Sequence, residues 1–292
     1  MTHVPVMTAE VVDLLRPGMG GLFVDCTVGL GGHSRALLEA GAARVIGLDR
    51  DRAALSRAGD TLAPWRDRIE LVHADYRALE AVLDERRIAR VDGALADLGV
   101  SSLQLDAPGR GFSFQRDKPL DMRMDQTSGD TAADLVARSS ERELADAIFQ
   151  YGEERFSRRI ARAIVAARRE APVDTTGRLA SIVRRTIPRR GAMRIDPATR
   201  TFQALRIWVN RELDGLDRFV EAAARRLRTG ARLAVITFHS LEDRIVKHTL
   251  RALQRDTLVQ VLTRKPIVPG DEEVERNPRA RSAKLRAAER TA

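Results

Sequence analysis

Several acidic and polar groups in this chain follow short apolar runs, at the points where β-strands would end, and the first of them opens a glycine-rich turn. The run Gly21-Leu22-Phe23-Val24 leads directly into Asp25-Cys26-Thr27-Val28-Gly29-Leu30-Gly31-Gly32-His33. Glycine reaches backbone dihedrals closed to other residues and lets a ligand approach without a Cβ in the way, and a helix opening after such a turn presents unpaired N–H groups. The next run, Arg44-Val45-Ile46-Gly47-Leu48, ends in Asp49, which lies 20 residues past Gly29. At that spacing an acid reaches ribose hydroxyls in dinucleotide-type sites. A third run, Ile69 to Ala74, ends in Asp75-Tyr76, and a fourth, Val91 to Ala96, ends in Asp97. Four consecutive strand ends then converge on one crevice that can hold a nucleoside between a glycine turn, an acid, an aromatic ring and a second acid.

Two nucleoside cofactors suit such a crevice. A nicotinamide dinucleotide calls for G-x-G-x-x-G, its third glycine allowing close helix packing beside the pyrophosphate. Here Gly29-x-Gly31-x-x-Ser34 departs from that pattern at the third position. S-adenosylmethionine carries no phosphate and tolerates a looser turn, with its adenine beside a polar or aromatic group after the third strand, as Asp75-Tyr76 provides. The pattern favours S-adenosylmethionine. No metal site is assigned.

The elements that must position these groups are an alternation of strands and helices over residues 1–104, a loop followed by helices over 105–205, and resumed alternation over 206–292. That order predicts a doubly wound, Rossmann-like α/β sheet interrupted by an inserted all-helical domain, and the preference for S-adenosylmethionine makes the class I methyltransferase type of that sheet the expected one. In the insert, Ser140-Glu141-Arg142-Glu143 reads as a capping box, Arg155 to Arg169 carries Phe156, Ile160, Ile164 and Val165 at helical spacing, and a further helix over Gly177 to Ile187 stops at Pro188. Beyond it, Ala231 to Phe238 reads as a strand, Ser240 with Asp243 as the start of a helix running to about Leu253, and Thr257 to Arg264 and Ser282 to Arg290 as a final strand pair.

With 292 residues the chain is long enough for a full α/β core plus an insertion. It contains no apolar run near the roughly twenty residues needed to cross a bilayer and no signal-peptide pattern at its start, so no membrane association and a cytoplasmic location are expected. The single cysteine, Cys26, falls at the first strand end and reads as a packing residue. The formal charge of +9 is concentrated in residues 151–200, which hold 13 arginines against 5 acidic residues. Localised excess charge of this kind points to an anionic partner such as a nucleic acid.

Longer motifs identify a resemblance over essentially the whole chain. His3-Val4-Pro5-Val6, the Gly-Gly-His turn, Asp97-Leu98-Gly99-Val100-Ser101-Ser102 with Gln104-Leu105-Asp106, Arg110-Gly111-Phe112-Ser113-Phe114 and Pro119-Leu120-Asp121-Met122-Arg123-Met124-Asp125 resemble the bacterial ribosomal RNA small-subunit methyltransferase H family. Thr201 to Ile207, Phe238 to Arg244 and Asn277 to Arg286 continue the likeness. Leu103 and Lys118 stand where the family commonly has proline and glycine. The resemblance implies S-adenosylmethionine-dependent methylation of the exocyclic N4 of a cytidine in the decoding region of 16S rRNA, within the small ribosomal subunit. It further implies cofactor contacts from Gly31, Gly32, His33, Asp49, Tyr76, Asp97 and Gln104.

The substrate half of the site follows from the chemistry. A cytosine amine is a poor nucleophile because its lone pair is delocalised into the ring, so positioning and acceptors for its hydrogens are what a protein can supply. Asp97 is the candidate acceptor. An unstacked base is held by aromatic rings or guanidinium planes, for which Phe112, Phe114, Arg110 and Arg123 are the candidates, while Trp208 reads as helix core. The basic insert and the tail residues Arg276, Arg279, Arg281 and Arg286 are expected to grip phosphates. The competing readings are a non-catalytic RNA-binding protein on the same fold, and a nicotinamide-dependent oxidoreductase, which Ser34 disfavours.

Overall fold

The computed structural model describes residues 5–100, 109–188 and 196–291. It divides into two compact units, Met1–Gly99 with Gly215–Ala292, and Val100–Asp214.

The first unit is a seven-stranded sheet in the order β3-β2-β1-β4-β5-β7-β6. Its strands are β1 (Leu22–Asp25), β2 (Arg44–Asp49), β3 (Ile69–His73), β4 (Val91–Asp97), β5 (Leu227–Thr237), β6 (Val259–Val261) and β7 (Lys284–Arg290). Strands β1 to β5 are parallel, and β7 runs antiparallel to both β5 and β6. The predicted doubly wound α/β sheet is therefore what forms, including the final strand pair. Strand β5 begins four residues before Ala231 because its register with β4 shifts between Val91 and Gly93, an irregularity that lengthens the strand toward Leu227.

Both faces of this sheet are covered, which explains why its central strands are nearly continuous apolar runs rather than alternating ones. Val24, Ile46, Leu48, Ala94 and Ala96 point into one layer, with Phe219 and Val220 of a helix over Leu216–Arg226 and Val246 and Leu250 of a helix over Ser240–Arg255. Phe23, Val45, Leu95, Ala234 and Ile236, one position out of phase, point into the other, with Val11 and Leu15 of α1 (Thr8–Leu15) and Leu37 and Leu38 of α2 (Gly32–Glu39). Helices α3 (Arg52–Leu62) and α4 (Leu79–Glu85) follow β2 and β3. The chain runs β1, β2, β3 to one side and returns to β4 on the other side of β1, so the strand order reverses between β1 and β4. In open α/β sheets ligands bind at the carboxyl ends of the strands at such a reversal.

The second unit is built from α5 (Ala132–Arg138), α6 (Glu141–Gly152), α7 (Ser157–Glu170), α8 (Thr176–Thr186) and α9 (Ala198–Asn210). The helices over Leu216–Arg226, Ser240–Arg255 and Asp271–Arg276 are then α10, α11 and α12. The core of the second unit gathers Leu144, Ile148, Ile160, Ile164, Leu179, Val183, Phe202 and Leu205. The expected capping box closes in both directions: the Glu143 amide donates to Ser140 Oγ at 3.2 Å, and the Ser140 amide to Glu143 Oε2 at 2.8 Å. The unit extends to Asp214 rather than ending at residue 205, because α9 is one helix whose Phe202 and Leu205 are in this core, and whose Asn210 accepts from the Met124 amide and donates to the Met122 carbonyl, both at 2.7 Å.

Much of the arginine excess in this unit is structural. Arg168 donates to the Val136 and Ser139 carbonyls at the end of α5, Arg178 donates to the Ala167 and Ala171 carbonyls at the end of α7, and Arg184 pairs with Asp196 at 2.7 Å. Cations are favoured there because the last carbonyls of a helix lack partners. Ile160 is fully buried in this core. Ile160→Ala is expected to lower unfolding free energy in urea by about 2–5 kcal/mol.

Candidate active site

The glycine turn is built by backbone geometry that few other residues adopt. Gly29 and Gly31 lie at φ 53° and 85°, the left-handed region where a side chain is strained. The Gly31 amide closes the turn on the Val28 carbonyl at 2.8 Å, and Val28 is itself anchored to the Leu48 carbonyl of the neighbouring strand. A Cβ on Gly32 would come within 2.8 Å of Pro5, so this glycine is required by packing. His33 is buried, with Nε2 2.9 Å from the Val6 carbonyl, so its ring is fastened to backbone.

Asp49 ends β2, where both carboxylate oxygens accept from backbone: Oδ2 from the Gly29 amide and Oδ1 from the Asp51 amide, each at 2.8 Å. Each oxygen keeps a second lone pair for a hydroxyl. Burial pushes its pKa up to about 6 despite those two bonds. The end of β3 lies alongside, with Asp49 in register with His73. Asp75 is engaged by Arg77, at 2.7 Å on each oxygen, and by Arg50 at 3.5 Å, which hold its carboxyl below the usual range against the opposing effect of burial. The Tyr76 ring packs edge-on against Phe219 with centroids 4.7 Å apart. Asp75 is thus committed to guanidinium groups, whereas Tyr76 offers a braced aromatic surface at the strand end.

Asp97 ends β4 on the other side of β1. Its amide donates to Thr27 Oγ1 at 2.6 Å, tying the β4 end to the glycine turn, and its Oδ1 accepts from the Gly99 amide at 3.0 Å. Desolvation raises its pKa to about 7; the Gly99 bond opposes this and the charges of Asp25 and Glu242 add to it.

Those two neighbours were not singled out in the sequence. Asp25, almost fully buried, accepts from Ser34 Oγ at 2.7 Å and the Thr27 amide at 3.2 Å, and burial lifts it to about 6. The position that breaks the dinucleotide fingerprint is therefore the one whose hydroxyl holds a buried acid. Glu242 is buried on the first turn of α11, with Oε2 accepting from the Phe238 amide at 2.9 Å and Oε1 3.0 Å from His239 Nε2. The expected Ser240 and Asp243 cap does not form. His239 caps the helix through Nδ1, which accepts from the Glu242 amide at 3.4 Å, and Asp243 turns away to Arg286. Asp243 has the spacing of a cap, but the arginine on β7 competes for it.

A set of raised carboxyls at strand ends favours a cation and repels an anion. The donor set fits the sulfonium and ammonium of S-adenosylmethionine and does not fit a pyrophosphate. Gly31, Gly32, His33, Asp49, Tyr76 and Asp97 all belong to this one unit; Gln104 lies outside the described residues.

The four expected base-contact residues belong to the helical unit, where all four brace a loop. Arg110 is buried and donates to Gln126 Oε1 and the Met124 carbonyl, both at 2.9 Å. Phe112 is buried; Phe114 stacks at a tilt on Phe202, 4.6 Å between centroids, beneath the Arg184 guanidinium. Arg123 forks onto Asp121 at 2.9 and 2.8 Å. Trp208 is partly buried against the helical core.

Because Asp25, Asp49 and Asp97 are all raised while the lowered carboxyls of Asp75, Asp121, Asp196 and Asp243 are ionised in both states above about pH 5, the three raised groups bind more protons in the folded protein than in the unfolded chain from about pH 5 to 7, and stability is expected to fall as pH rises through that window. Urea midpoints measured from pH 4.5 to 8 check the sign, and Asp97→Asn should flatten the upper part of the decline. Ser34→Ala, which strips Asp25 of its hydroxyl donor, should cost about 1–3 kcal/mol at pH 7.5 by the same measurement.

The description "MraW methylase family" matches residues 1–291. Ribosomal RNA small subunit methyltransferase H of a Cyanothece strain is 54% identical over 289 residues, covering 99% of this chain and 94% of that protein. The protein of the same name from Sorangium cellulosum is 53% identical over 288 residues, covering 99% and 90%. Among solved structures, an rRNA methylase from Streptococcus thermophilus aligns over 98% of this chain and 94% of its own, at 12% identity and a TM-score of 0.43. With a match of this extent and relatives this similar along their whole length, the chain belongs to the MraW methylase family.

Proposed function

We propose that this chain transfers a methyl group from S-adenosylmethionine to the exocyclic N4 of a cytidine in the decoding region of 16S rRNA, presented in the small ribosomal subunit. Membership of a methylase family and relatives named as ribosomal RNA small subunit methyltransferases support an rRNA methyltransferase. The observation that carries the finer reading is Asp97: a carboxylate at the topological reversal of the sheet, with Oδ1 fixed by a backbone N–H and its pKa brought to about 7.

In this reading the turn at Gly31 and Gly32 and the adjoining His33 hold the methionine end, Asp49 accepts the ribose hydroxyls, and Tyr76 lies along the adenine. When bound, S-adenosylmethionine supplies an electrophilic methyl group on a cationic sulfur that leaves as a neutral thioether. Asp97 Oδ2, the oxygen left open by the Gly99 amide, accepts one hydrogen of the cytosine amine and orients its nitrogen. As the new C–N bond forms, the amine becomes cationic and its proton passes to Asp97. A base whose pKa lies near the operating pH is suited to that transfer. Burial maintains that pKa, and the charges of Asp25 and Glu242 add to it. Gln104 is a further cofactor contact. The loop braced by Arg110, Phe112, Phe114 and Arg123 serves the substrate: chain connectivity sets it shortly after Asp97, and its internal bonds give a fixed frame for the base.

The test is transfer of labelled methyl to small subunits and to naked 16S rRNA from cells lacking the protein, with nucleoside analysis. N4-methylcytidine is the expected product. A different methylated nucleoside, or none despite cofactor binding, would refute the reading and favour a non-catalytic binder. For Asp97 itself, kcat/KM should rise with pH to a plateau above about pH 7, since only the ionised carboxylate accepts the proton. Asp97→Asn should lower kcat by about 10²–10⁴-fold and remove that rise.

A further inference from the structure

A concentration of positive charge around a cavity lies on the sheet unit, away from the arginine-rich helices. Between α11 and the edge formed by β6 and β7 is a cavity of about 460 Å³, lined among others by Lys247, Arg251, Gln254, Thr263, Arg264 and Arg286, with no carboxylate in its lining. Lys247, Arg251 and Gln254 follow one another at helical spacing on one face of α11, so that Lys247 and Arg251 stand about 6 Å apart at their Cβ atoms. Arg286 forms a fixed wall: it is buried on β7, its Nε 2.5 Å from Asp243 Oδ1. Gln254 Oε1 accepts from the Val261 amide at 2.8 Å, which leaves its NH₂ as a donor.

Among the described residues, Lys247, Arg251 and Arg264 have no ion pair or hydrogen bond. In the helical unit Arg162, Arg168, Arg178, Arg184 and Arg200 are bound to acids or to helix-terminal carbonyls, while, among the described residues, the exposed Arg158, Arg169 and Arg185 are unpaired as well; what sets Lys247, Arg251 and Arg264 apart is that they converge on one cavity without a carboxylate. Long cations left unpaired beside one another repel and are retained at no structural benefit, which is the arrangement expected where an external polyanion completes the charge balance. The lining has no aromatic side chain, so it offers nothing on which a base could stack. Point charges and amide donors without stacking rings suit phosphodiester oxygens, contacts that position an RNA without reading its sequence.

We propose that this cavity is a second RNA-binding site, in which Lys247, Arg251 and Arg264 hold consecutive phosphates of the substrate RNA away from the target base. The site rests on the rRNA-methylating reading. It extends the phosphate grip from the helical insert to the outer edge of the sheet, and replaces the expectation for Arg286, which serves as a wall held by Asp243 rather than as a free grip.

The test is a salt series of binding between the full chain and naked 16S rRNA, for the wild type, for Lys247→Ala with Arg251→Ala, for the same pair with Arg264→Ala, and for the charge-keeping pair Lys247→Arg with Arg251→Lys. Removing the cation from any one phosphate should reduce the slope of log K against log salt by about 0.7 to 0.9. The triple variant should therefore lose about two units of slope, with KM for RNA raised about tenfold or more, kcat unchanged and S-adenosylmethionine affinity unchanged, while the charge-keeping pair behaves as the wild type. A wild-type slope in the triple variant would overturn the proposal while leaving the methylation reading intact. So would a defect confined to assembled subunits, which would assign the site to an acidic protein surface. A wild type that neither binds nor methylates rRNA would instead bring down the reading on which the site rests.

Discussion

The site depends on carboxylates that the protein has removed from water without giving them strong cationic partners. Asp25, Asp49 and Asp97 sit at the ends of adjacent strands, each stabilised by neutral donors: a serine hydroxyl, the backbone amides of the glycine turn and the amide of Gly99. Such donors offset part of the desolvation cost and no more, so the carboxyls titrate at about 6 to 7. Where arginines intervene, as at Asp75 and Asp243, the shift is in the opposite direction. Among the described residues, Asp25 and Asp97 have no arginine acting on them, and at Asp49 the charge of Arg50 opposes burial only weakly. A cluster in that state is complementary to a cationic sulfonium and can take a proton from an amine near neutral pH.

The rest of the fold serves that arrangement. Parallel strands buried on both faces bring their carboxyl ends to one side, the reversal between β1 and β4 parts them, and the hydrogen bond from the Asp97 amide to Thr27 Oγ1 ties the two sides together. The insert leaves the sheet unit at Gly99 and returns at Gly215, so the loop from β4 follows Asp97 directly in the chain. Two of its helices, α5 and α7, have their terminal carbonyls closed by Arg168 and Arg178 of the same unit.

The strands, the glycine turn and the insert were legible in the sequence because each depends on local pattern: two-sided burial gives apolar runs, and a capping box is four residues long. Asp49 and Asp97 were legible because strand-end acids stand at the boundary of such a run. Asp25 and Glu242 were not, because their roles arise from the tertiary neighbours Ser34, Phe238 and His239, and a buried acid next to a glycine turn has the same local signature as a turn residue. The arginine count of the insert pointed to an anionic partner but could not separate cations capping helices from cations left unpaired. That distinction appears only when their partners are seen, and the convergence of Lys247, Arg251 and Arg264 on one cavity appears only in the fold. Arg110 and Phe112 illustrate the same limit, since loop composition is identical whether such residues face a base or brace the loop.

In the proposed reading, carboxylates raised into the neutral range by burial lie beside the cationic sulfur of the methyl donor. Calorimetric titration at pH 6.5 in buffers of different ionisation enthalpy measures the protons released when S-adenosylmethionine binds, and the same titration with S-adenosylhomocysteine, whose sulfur is neutral, supplies the reference. A positive sulfur beside these acids lowers their pKa values. More protons should therefore be released with S-adenosylmethionine than with S-adenosylhomocysteine, and the difference should shrink in Asp97→Asn. Equal proton release for the two ligands in the wild type would contradict the account.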